Sequence, residues 1–306
     1  MKNGTNSGMD NGIVAEIDQE IVTRNIRSSG VKSVGGASIR EIKRLVDNIE
    51  RDTGKKFVRM EMGIPGLCPP AIAIDADNGK GISGVAPGVK IMPLRFLSEK
   101  GQGTTADAIK AIEYAVSNGA RVLSNSWGSE GEDPNEGRDN QALREIIKSA
   151  GDRGVLFIAA AGNGHQGVGY DNDRDSKPGY PASYDMENII SVAAIDVNDN
   201  LGSFSNWGRT SVDIAAPGVK VFSTVPNNGY QDTILDLLGM TVYWDGTSMA
   251  APHVAGAAAL YWSKHPEMNY RSVKNAILSS AKKIPSLAGK TVSEGKLNVE
   301  NILKNF

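Results

Sequence analysis

From about Asn78 onward, the chain alternates short apolar runs with amphipathic stretches. GVKIMPLRFL, RVLSNSWG, GVLFIAAAGN, NIISVAAID and SVDIAAPG each hold an apolar run bounded by glycine or polar residues. Helical spacing fills the gaps between the first three. Ile109, Ile112 and Val116 share one face of the first helical segment; Leu143, Ile146 and Ile147 share one face of the second. Near-continuous apolar strands alternating with helices predict an α/β fold, with a mostly parallel central sheet and helices on both faces. Two more helices are predicted over Gly246–His265 and Tyr270–Lys282. Upstream, Ile39, Ile42, Leu45, Val46 and Ile49 recur at helical spacing and predict one helix from Ser38 to about Arg51. Ser38 is its N-cap with Glu41 three residues on, and Gly54 is its stop. Lys56 to Met62 reads as a short strand, and GIPGLCPP breaks any regular element.

Composition narrows the function. The 306 residues carry 33 Lys and Arg against 35 Asp and Glu, a formal net charge of -2. Such balance argues against a nucleic-acid partner, which calls for a basic stripe. No apolar window is long enough to span a membrane. The amino terminus, MKNGTNSGMDNG, lacks the apolar core of a signal peptide and reads as disordered over residues 1–20. One cysteine, Cys68, excludes an internal disulfide framework. The three histidines are His165, His253 and His265, so any histidine-dependent chemistry must use one of them.

The segment DGTSMAAPHVAGAAAL, Asp245 to Leu260, carries the strongest chemical signal. Ser248 sits where a glycine turn enters a helix that is apolar on nearly every side, which belongs in a protein centre. The start of such a helix offers free N–H groups and a positive dipole end. Pro252 is placed in the opening turn, where a missing N–H costs little. On these residues alone, Ser248 serves equally as a helix cap or as a nucleophile.

GTSMAAPHVAG resembles the nucleophile block of subtilisin-like serine peptidases. The resemblance extends in order through GISGVAPGVKIMPLRFL, SNSWGS, AAAGNG, YPASY, FSNWG and DIAAPG. It implies a subtilisin-like fold over residues 77–306 and peptide-bond hydrolysis through a Ser248 acyl-enzyme. Asn163 would be the side-chain oxyanion donor, although Asn in AGNG also suits a tight turn. Ser126, Trp127 and Gly128 would hold an extended polypeptide substrate by strand addition, with Trp127 equally placed to be a core aromatic. His253 matches a structural position. The chemistry needs no cofactor, and the segment around Ala182 and Tyr184 resembles a loop that binds structural calcium through carbonyls. Members of the family are often secreted.

Two blocks of that family have no counterpart. Its HGTHVAG block falls at about Gly66 to Ile72, where the chain reads GLCPPAI, and no histidine precedes His165. Its aspartate strand has no match within residues 1–65, and Asp75 in PAIAIDAD lies after the expected histidine. The fold is therefore expected to be incomplete at its N-terminal side and turnover to be weak or absent. The alternative is a non-catalytic pseudopeptidase that binds extended peptides. Residues 29–76 resemble the opening of a fold-type I pyridoxal-phosphate aminotransferase, without a cofactor lysine. This points to a foreign segment over 21–76 and a chimeric junction near 71–78.

Overall fold

The fold is described from a computed structural model covering residues 19–29, five helical positions between 45 and 52, 81–98, 103–128, 141–165, 167–175, 178–225, 229–237 and 240–305. The expected strand over 56–62, the GIPGLCPP turn, Asp75 and the junction near 71–78 lie outside these residues. Residues 1–18 do as well, but Gln19 and Glu20 already belong to a helix, α1 (Gln19–Ser29), which the apolar pattern did not announce. Val22 and Asn25 of α1 are buried, as are Leu45 and Ile49 of the expected upstream helix. Asp52, just past the expected end of that helix, accepts from Asn25 Nδ2 at 3.0 Å and from Arg24 at 3.1 Å.

Five elements open the remaining chain: α2 (Thr105–Ser117), β1 (Val122–Asn125), α3 (Gln141–Asp152), β2 (Leu156–Ala160) and β3 (Ile189–Ile195). Next come β4 (Ile214–Pro217) and two hairpins, β5 (Ser223–Val225) with β6 (Gly229–Gln231) and β7 (Thr233–Leu237) with β8 (Met240–Tyr243). The chain closes with α4 (Thr247–Lys264), α5 (Tyr270–Ser279), β9 (Lys282–Lys283), β10 (Gly295–Lys296) and α6 (Val299–Asn305). The central sheet has the order β1-β2-β3-β4-β10-β9. Every pair from β1 to β10 is parallel, and only β9 runs against its neighbour.

Alternation along the strands sorts the core into two layers. Leu156, Ile158 and Ala160 of β2 meet Ala250, Ala251 and Val254 of α4 and Val273 and Ile277 of α5. Phe157 and Ala159 point the other way, onto Ile112 and Val116 of α2 and Leu143 and Ile147 of α3. A strand buried on both faces has no polar position to spare, which is why its sequence reads as one apolar run.

Two expectations are corrected. Residues 88–97, the whole of GVKIMPLRFL, form no strand. The apolar side chains still pack, Leu94 against the α2–α3 layer and Phe96 edge-on to Trp127 at 5.3 Å. A strand also needs a backbone partner for each N–H and C=O, and β1 ends the sheet among the described residues. The second correction concerns α5, which stops at Ser279 rather than Lys282; Lys282 and Lys283 turn out to pair with β10.

Candidate active site

Ser248 is the second residue of α4, half-buried, with Gly246 as N-cap. Its hydroxyl donates to the carbonyl oxygen of Ser126 at 3.3 Å, and the Ser126 hydroxyl donates to the Ser248 carbonyl at 2.8 Å. Pro252 explains the second bond. It is the sixth residue of α4, so it lies past the opening turn where it was expected. Lacking an N–H, it cannot donate to the carbonyl four residues back, which is that of Ser248. Ser126 supplies the missing donor.

Asn163 lies in the turn after β2. Its Oδ1 accepts from both the N–H and the hydroxyl of Thr247, each at 2.9 Å. The Thr247 hydroxyl in turn accepts from the N–H of Gly162 at 3.2 Å. With Oδ1 occupied by α4, the Asn163 NH₂ remains the donor side of the amide. The structure thus brings Ser126, Asn163 and Ser248 together at the start of α4. Thr247 orients the amide, a role the sequence reading did not assign; the only signal was its place beside Ser248.

Ser126 and Gly128 are exposed and Trp127 is half-buried. The Trp127 ring packs against the α2–α3 layer and its Nε1 donates to Asn125 Oδ1 at 3.1 Å, so it is anchored as a core aromatic. Asp245, three residues before Ser248, accepts from the Lys220 N–H at 2.6 Å. Burial pushes its carboxyl above the ordinary range, and the neighbouring Asp232 charge adds to this, against the pull of Lys220.

None of the described bonds joins Ser248 to a histidine. His253 bonds Met249 O through Nδ1 at 2.9 Å within α4, and burial holds its imidazole below the ordinary value. His265 caps the far end of α4 and stacks on Tyr261 at 4.6 Å. His165, two residues past Asn163, meets the ring of Tyr170 at 5.0 Å.

Comparison with known proteins adds the decisive observation: the Subtilase family, Peptidase_S8, matches residues 70–301. The chain belongs to the subtilase family. Subtilisin DY of Bacillus licheniformis is 37% identical over 205 residues, covering 67% of this chain and 65% of that protein. Thermitase of Thermoactinomyces vulgaris is 36% identical over 231 residues, covering 76% of this chain and 71% of that protein. Subtilisin-like protease 2 of Plasmodium falciparum is 34% identical over 73% of this chain but only 15% of its own length. The chain thus spans less than two thirds of the first of these relatives. Among solved structures, the prenylagaramide maturation protease PagA has a TM-score of 0.59 and 29% identity over 76% of this chain and 78% of its own. A serine-to-alanine mutant of the PatA protease domain has a TM-score of 0.61 and 26% identity over 76% and 77%.

Subtilases commonly hold structural calcium, and the loop around Ala182 and Tyr184 was the expected place. Both residues are buried. The carbonyls of Gly179 and Pro181 accept from the N–H groups of Ser183 and Tyr184 at 3.0 and 3.1 Å. No group of three or more His, Cys, Asp or Glu among the described residues stands ready to hold a metal. Calcium takes six to eight oxygens, and the carbonyls of Gly179 and Pro181 each already accept one N–H.

Proposed function

We propose that this subtilase is a serine endopeptidase in architecture, with Ser248 as nucleophile and Asn163 as oxyanion donor, whose turnover is weak because it lacks the histidine and aspartate that activate the serine. In the complete reaction, Ser248 Oγ bonds the scissile carbonyl carbon and its proton passes to a base. The carbonyl oxygen becomes an oxyanion, which the Asn163 NH₂ and the Ser248 N–H would receive. A polypeptide in extended form would lie along Ser126–Gly128. Residues 21–76, with their resemblance to an aminotransferase opening, are proposed as a foreign segment joined to a peptidase body that begins in the seventies.

One observation carries the claim of weak turnover. The Ser248 proton rests on the Ser126 carbonyl, an oxygen far too weakly basic to accept it. The same observation favours a second function: a pseudopeptidase that holds extended peptides without cutting them. A fluorescent peptide library offered to the parent and to Ser248→Ala separates the two. Cleavage by the parent that disappears in Ser248→Ala supports the peptidase. Equal peptide binding by both, with no cleavage by either, supports the pseudopeptidase. Neither binding nor cleavage overturns both.

A further inference from the structure

Behind the turn that carries Asn163, two buried asparagines form a ladder that no part of the proposed chemistry uses. Asn172 and Asn206 are 5% and 6% exposed. Asn172 Nδ2 donates to the carbonyl of Ala161 at 3.0 Å. Asn206 Nδ2 donates to Asn172 Oδ1 at 3.0 Å, and Asn206 Oδ1 accepts from the Tyr170 N–H at 2.9 Å. The Asn206 N–H donates to the carbonyl of Gly162 at 2.9 Å. Both carbonyls before Asn163 are therefore held from this side, while Thr247 holds the Gly162 N–H from the other.

The backbone at Gly162 makes the fit specific. Its φ is +110°, a conformation that favours glycine, and a Cβ there would lie 2.5 Å from Asn206 Nδ2. The turn and the ladder thus pack closely against each other, with no room for a side chain at Gly162 between them. An oxyanion donor acts only when its NH₂ stands within a few tenths of an ångström of the developing charge, so whatever fixes this turn fixes the catalytic geometry.

We infer that Asn172 and Asn206 are positioning residues, which act through the Ala161–Gly162 backbone to aim the Asn163 amide. The inference rests on Asn163 being the oxyanion donor. The bonds join the turn after β2, residues 170–172 and the FSNWG segment, so no single local sequence contains the device.

The test is amide hydrogen exchange in the full chain, read at Gly162 and Thr247, for Asn172→Ala, Asn206→Ala and the milder Asn206→Ser. Ser248-dependent hydrolysis of a peptide p-nitrophenyl ester is measured alongside, since an activated ester retains turnover when a base is missing. Exchange at Gly162 and Thr247 is expected to quicken about tenfold or more while α5 amides stay unchanged. The ester kcat is expected to fall roughly tenfold with KM within about twofold. Unchanged exchange at Gly162 and Thr247, or equal quickening at Ile277 in α5, overturns the inference. If Asn163→Ala and Ser248→Ala leave ester turnover untouched, the oxyanion assignment fails instead, and exchange still decides whether the ladder sets the turn.

Discussion

Pro252 shows how one residue's covalent structure is answered by another far away in sequence. Its missing N–H leaves the Ser248 carbonyl without a helical donor, and Ser126 fills the gap from 122 residues away. A double-mutant cycle tests this dependence. Ser126→Ala should cost about 1 kcal/mol in urea denaturation, the worth of one hydrogen bond. In a Pro252→Ala background an N–H is restored, and the same substitution should cost less than about half as much. An equal cost in both backgrounds would mean that the two residues are not coupled. His253 gives a pH signature on the same helix. Burial holds its folded pKa below the ordinary 6.5, so below that pH the unfolded chain takes up the proton more readily. The stability it contributes is present above 6.5 and is lost as pH falls through the folded value. His253→Gln should therefore flatten the decline in melting temperature between about pH 7 and 5. A slope identical to the parent's would rule His253 out as its source.

Elements were legible in proportion to how much of their burial is written into their own residues. β2 and β3 are buried along their whole length, so an uninterrupted apolar run was enough to find them. Residues 88–97 also hold apolar residues, broken by Lys90, Pro93 and Arg95, and a strand also depends on a partner that no local pattern reports. Ser248 and Asn163 were singled out through their motifs, and the structure places both at the start of α4. Thr247, Asn172 and Asn206 were not assigned, because hydrogen bonds across 11 to 85 residues leave no spacing to read. The same holds for the ion pair that fastens α5 to the sheet. Lys274 Nζ meets Asp213 Oδ1 at 3.1 Å, with both side chains mostly buried, and Asp213 Oδ2 accepts from the Ser191 N–H at 2.8 Å. Burial pushes the Asp213 carboxyl up, against the opposing pull of Lys274. Removing one partner strands a charge, so Lys274→Met should destabilise by about 3 kcal/mol. Adding Asp213→Asn removes that charge and keeps the acceptor for Ser191, and it should recover most of the loss. A double variant no more stable than Lys274→Met would show that the pair is not the source.

At the scale of the whole molecule, the subtilase body keeps the layers that hold Ser248 and Asn163, the proposed nucleophile and oxyanion donor, at the start of α4, and all three histidines have other structural settings. His253 is bonded inside α4, His265 stacks at its far end, and His165 meets Tyr170. If turnover is limited by a missing base, as proposed, a small base from solution should replace part of it. Neutral imidazole can take the Ser248 Oγ proton as Oγ bonds the substrate carbonyl carbon, and can then return it to the departing amine, so the proton account closes without any residue of the chain. A positioned base is worth about 10²–10⁴ in rate. A freely diffusing one at tens of millimolar should recover a small part of that, about tenfold over the imidazole-free rate on a peptide p-nitroanilide. The gain should grow with the neutral fraction of imidazole as pH rises, and it must vanish in Ser248→Ala under identical conditions, which removes the uncatalysed reaction of imidazole itself. A gain of the same size in Ser248→Ala would place the chemistry in solution. No gain in the parent, with peptide binding intact, would mean that more than the base is missing and would leave the chain as a peptide-holding body.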